Sequence, residues 1–188
     1  MRQGAVDEAD NQTVRHVPSR PQLKRDPLGS MAKNHVLQLG KLVGNLQSLE
    51  ALLRLYLLKI GAKSGTRGFK SSYWTLSPGD EVTEDEFTNY DSLGDLVKKF
   101  NADVASRDPS LAVDHGVVGV RDLLAHGRVA ADAEDETRLA ILKFDKPSRG
   151  KVKVVASALM DDAWFAKNIK LVFQQIERVH TAIERHAA

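Results

Sequence analysis

Between Asn34 and Ile60 apolar residues recur three and four apart (Val36, Leu39, Val43, Leu46, Leu53, Leu57, Ile60). That spacing places side chains on one face only in an α-helix. Leu42, Leu49, Leu52 and Tyr56 widen the face, so the predicted helix is buried on more than one side. Gly61 suits its end as a left-handed residue. Glu50 falls where the stripe would carry another apolar side chain. Either register drift lets it reach solvent, or it is an inward carboxylate paired with an arginine, because an unpaired buried charge is costly.

With 188 residues there is enough chain for one core, and one domain over 31–188 is expected. Residues 1–30 are polar and lack helical or strand period, which predicts a disordered tail. Their end, Pro27-Leu28-Gly29-Ser30 before Met31, also resembles an expression scar or an upstream start. Residues 61–92 predict an irregular connection, anchored to the core by Phe69, Tyr73 and Trp74 or offering them for base stacking. Asp91 or Ser92 can cap a second helix over 93–104, with Leu93, Leu96, Val97, Phe100 and Val104 inward. A third is expected from Asp108-Pro109-Ser110 to His126, with Val113, Val117, Val120 and Leu124 as its stripe and Gly127 as its stop.

The small, acidic segment 130–136 predicts a loop. Thr137–Phe144 and Lys151–Leu159 are strand-like runs around Asp145–Gly150, a hairpin that must lie against helices to be stable. Asp161 or Asp162 can cap a last helix to about His186, carrying Phe165, Ile169, Val172, Ile176, Val179 and Ile183. The expected class is mainly all-α, a four-helix up-and-down bundle with a β-hairpin inserted before the last helix.

The chain has no cysteine, which excludes disulfides and thiol chemistry and fits a cytoplasmic protein. No run approaches the roughly 20 apolar residues that span a bilayer, so no membrane association is expected. A net charge of +2 is too small to argue for nucleic acid, so local patches must carry that case. Lys143, Lys146, Arg149, Lys151 and Lys153 make the hairpin basic, and Arg128 precedes it. Lys59, Lys63, Arg67 and Lys70 do the same for the start of the long connection. Either set is a solvated basic face or an RNA-backbone contact with salt-sensitive binding. Glu177, His180, Glu184 and His186 contain one Glu-x2-His pair without further ligands, so neither a metal nor another cofactor is expected.

The chemistry-bearing segment is Arg121-Asp122-Leu123-Leu124-Ala125-His126. Asp122 precedes His126 by four residues, on one helix face, and can accept its ring N–H. Histidine so held suits proton transfer. Arg121 offers a permanently charged donor fork matched to phosphate. Five residues separate Arg121 from His126, about 140° around an ideal helix. Convergence therefore needs a long arginine reach or a second subunit. The bland alternative is a helix-end cap with surface ion pairs.

The segment VVGVRDLLAHGRV, 117–129, resembles the signature of the HEPN superfamily: arginine, a polar residue, then histidine at the end of the third helix of a four-helix bundle. The match is Arg121, Asp122 in a slot where asparagine is commoner, and His126. Leu49-Glu50 before Leu52-Leu53, and the Thr88–Gly94 entry to the second helix, are similar too, so the resemblance covers roughly 34–186. It departs at the hairpin and at the aspartate. What it implies is a metal-independent endoribonuclease, in which an RNA 2′-hydroxyl attacks the adjacent phosphate. His126 would move protons, Asp122 would support it, Arg121 would stabilise the phosphorane, and Glu50 would lie nearby. It also implies a homodimer with the site at a two-fold interface, and a toxin or phage-defence effector with an antitoxin or regulatory partner. The alternative is a non-catalytic module that dimerises or binds a nucleotide or protein, and a third reading is a helical protein whose RDLLAH is only a cap.

Overall fold

The computed structural model describes residues 30–61, 71–131, 135 and 138–186. Among them the chain is mainly helical, with four α-helices and one small antiparallel sheet. The order is α1 (Ser30–Gly61), α2 (Leu93–Val104), α3 (Gly116–His126), β1 (Arg128–Ala131), β2 (Leu139–Phe144), β3 (Val154–Leu159) and α4 (Asp162–His186).

The two long helices form the body. His35 Nε2 lies 3.0 Å from the carbonyl of Met160, Asn34 donates to Asp162, and the His35 ring meets Phe165 edge-on. The start of α1 thus meets the start of α4, and the pair runs side by side in one direction. This departs from the expected up-and-down order, which would oppose first and last helices. Leu42, Leu46, Leu49, Leu53 and Tyr56 are the buried face of α1. Val36 and Val43, expected in the core stripe, are instead exposed.

Ser92 caps α2 by accepting the Asp95 N–H, while its hydroxyl donates to the Asp95 carboxylate. Leu93, Leu96, Val97, Phe100 and Val104 are buried as the periodicity requires. The third helix begins later than expected. Pro109–Leu111 makes a single 3-10 turn capped by Asp108, and the chain then runs non-helically to α3. Asn101 is the cause: its amide accepts from Val113 N and donates to Val113 O at 2.8 and 2.9 Å, holding that non-helical backbone out of the helix. Val113 is still buried, though not as a helical residue.

Residues 128–131, partly assigned to a loop by their composition, form an extra strand. β1 pairs with β2 in register Arg128↔Leu142 to Ala131↔Leu139, and the sheet order is β1-β2-β3. The expected hairpin is present but shorter: β3 starts at Val154, and Lys151 pairs with Ser148 across a tight turn. Arg149 and Gly150 both have positive φ there, 51° and 73°, the mirror-type turn that matches strand twist.

In α4, capped by Asp161 through the Trp164 N–H, Phe165, Val172 and Val179 are buried, but Ile169, Ile176 and Ile183 only flank the core. Asn168, Gln175 and Ala182 take the inner positions. The two amides are satisfied there: Asn168 donates to Trp164 O, and Gln175 donates to Leu171 O while accepting from Asp114 N.

Candidate functional site

The last turn of α3 is tied to the sheet through Gly127. Its φ is −76°, so glycine is not required there for a left-handed backbone. It is required by space: a Cβ would lie 2.4 Å from Leu123 O and 2.6 Å from Ile141 Cγ1. Ile141, at the centre of β2, is buried against this end of α3. Two residues further along, on the same side of the strand, Lys143 reaches Asp122 and its ammonium donates to Oδ2. The other oxygen, Oδ1, lies 3.5 Å from His126 Nε2. One carboxylate therefore stands between an ammonium and an imidazole. The Lys143 hydrogen bond, helped by the nearby Lys143, His126 and Arg121 charges, holds the Asp122 carboxyl below the usual carboxylate range. His126 is open to solvent, with 59% of its side chain exposed.

Arg121 faces elsewhere. It lines a cavity of about 310 Å³ between α1 and α3, with Val43, Leu46, Gln47, Glu50, Leu124 and Ala125. It makes no hydrogen bond or ion pair with any described residue. Glu50, the stripe's anomalous carboxylate, is half-buried and paired with Arg54, whose Nε and Nη2 donate to Oε1 at 3.2 and 3.0 Å. Arg54 was not singled out by sequence pattern. It is 9% exposed and also donates to the carbonyls of Glu86, Asn89 and Asp91 and to Asn89 Oδ1. Its place one turn after Glu50 was the available signal.

The remaining candidates divide. Lys143 is engaged by Asp122. Arg128 sits on the other face of the sheet, its guanidinium 5.4 Å from the centre of the Phe144 ring. Lys146, Arg149, Lys151 and Lys153 are exposed together at the β2–β3 connection. Tyr73 stacks on Phe87 and donates to Asp85, anchoring its segment, whereas Trp74 is exposed. Phe69, Lys63, Arg67 and Lys70 lie outside the described residues. Among the described residues His180 pairs with Glu184, and no group of three or more metal-ligating side chains occurs. No described helix is long and apolar enough to cross a membrane.

No protein-family model, curated protein or solved structure matches the chain.

Proposed function

We propose that the protein is a HEPN-like, metal-independent endoribonuclease that works as a homodimer. The observation that carries this reading is the presence, at one helix end, of an exposed histidine 3.5 Å from a carboxylate and of an arginine that pairs with no described residue. An arginine left unpaired beside a cavity is free to meet an anion. His126 takes the proton of a ribose 2′-hydroxyl as that oxygen attacks the adjacent phosphorus. The bond to the 5′-oxygen breaks, the protonated His126 of the second copy gives its proton to that leaving oxygen, and a 2′,3′-cyclic phosphate and a 5′-hydroxyl result. Arg121 stabilises the added charge on the phosphorane.

Within one chain Arg121 and His126 look to different sides of α3, so the active site needs a second copy. The exposed apolar side of α1 supports such a contact. Val36 and Val43 are exposed there, a Cβ at Gly40 or Gly44 would touch nothing within 4 Å, and the surface continues to the exposed Ala125 beside Arg121. In this reading the helices form the HEPN-type four-helix bundle and the exposed Lys146, Arg149, Lys151 and Lys153 carry the RNA backbone. Its setting is the cytoplasm, as a toxin or phage-defence effector under a regulatory partner.

The test is incubation of purified protein with total RNA in EDTA. Wild type is expected to cleave and to sediment as a dimer. Arg121→Ala and His126→Ala are each expected to lose about 100-fold or more in rate while remaining folded. Cleavage that disappears with chelator, or survives both substitutions, refutes the proposal. The divergence of Arg121 from His126 favours one second reading, a non-catalytic HEPN-like module. That reading predicts a folded dimer without RNA turnover.

A further inference from the structure

Two features depart from the family pattern that the sequence resembles: an aspartate at 122 and the strands inserted before the last helix. The structure joins them. Lys143 lies on β2, on the side that carries the buried Ile141, and its ammonium is spent on Asp122 rather than pointing to solvent with the hairpin-end lysines. The contact is placed by the fold: Ile141 seats against the end of α3 only because Gly127 lacks a Cβ. The register of β2 then brings residue 143 to residue 122, with Ala156 of β3 as its cross-strand neighbour.

We infer that Lys143 is a positioning residue for the site, which neutralises Asp122 and limits it to one free oxygen for His126. The inference rests on the ribonuclease reading for its effect on rate, though not for its effect on the imidazole. Two consequences follow from the charges. With Lys143 present, the Lys143–Asp122 pair is neutral and a phosphate can approach His126 without facing an uncompensated carboxylate. Because Oδ2 is occupied, the carboxylate is held in one orientation and presents Oδ1 to the ring. An asparagine at 122 would need no such counter-charge, so the lysine and the aspartate form a matched pair.

The experiment is a double-mutant cycle on the full chain, comparing Lys143→Met, Lys143→Arg, Asp122→Asn and the Asp122→Asn/Lys143→Met double variant. The readouts are RNA cleavage in EDTA and the side-chain NMR resonances of His126. Lys143→Met is expected to lower kcat about 10-fold and to move the His126 resonances, while Lys143→Arg restores both. Asp122→Asn in the Lys143→Met background is expected to recover most of the loss, a strongly non-additive result. If the two losses simply multiply, or the His126 resonances ignore Lys143→Met in protein that remains folded, the inference fails. If wild type does not cleave RNA but the His126 resonances respond as stated, the ribonuclease reading fails and the positioning role of Lys143 stands.

Discussion

Arg54 and Arg121 both lie beside Glu50, and their surroundings are opposite. Arg54 is enclosed, and its guanidinium donates to Glu50 and to the backbone of the 86–91 segment, fastening that segment to α1. Arg121, reached from α3, opens into a cavity and is bonded to no described residue. A saturated arginine has no donor left for a ligand and serves the fold. An unsaturated one contributes little to the fold and keeps its donors for an anion. Residue type alone does not separate these roles; the count of acceptors around each guanidinium does.

The largest test of this contrast is stability. Arg54→Ala removes the partner of a half-buried carboxylate and strips donors from three backbone carbonyls, so a loss of about 3–5 kcal/mol is expected in denaturant unfolding. Arg121→Ala is expected to stay within about 0.5 kcal/mol of wild type in the same measurement. Equal losses would erase the distinction.

A second test moves to the junction between α3 and the sheet. Gly127→Ala forces a Cβ into Leu123 O and Ile141, and overpacking of this kind costs about 1–3 kcal/mol. The Asp122–His126–Lys143 cluster should be disturbed with it, whereas the Arg54 clamp should not. Hydrogen exchange at residues 86–91 and 139–144 would report the two separately, and parallel loss of protection in both would refute their independence.

The smallest effect is the pH dependence of Asp122. Its folded carboxyl titrates below its unfolded value, so its contribution to stability is fully present above the unfolded pKa, about 3.9, and is lost as pH falls through the folded value. With 40% of the side chain exposed, the contribution is expected to be under about 1 kcal/mol. The stability gap between wild type and Asp122→Asn should therefore narrow below about pH 4. A gap constant from pH 6 to pH 2 would show that the carboxylate is not held by these cations.

Much of the helical frame was legible because helical burial writes a periodic signal over many residues. All five inward positions of α2 were readable in this way, whereas the choice of Asp161 over Asp162 as the cap of α4 came from the structure. The errors lie where one polar side chain overrides local preference. Asn101 holds Val113 out of α3, and the amides of Asn168 and Gln175 occupy core positions beside isoleucines that only flank the core. The strand β1 was missed because Ala130 and Ala131 carry no alternation, and its pairing is set by β2 rather than by its own residues.

For the site, sequence by itself determined the placing of Asp122 and His126 on one helix face and of Arg121 on another, since these follow from 3.6 residues per turn. It also placed Lys143 two residues beyond Ile141, on one side of a strand. Only the tertiary structure decided that this strand lies against the end of α3, that Lys143 is spent on Asp122, and that Glu50 is taken by Arg54 while Arg121 pairs with no described residue. Those contacts join residues from different elements. They depend on close approaches, such as that of Ile141 to Gly127, which no local periodicity records.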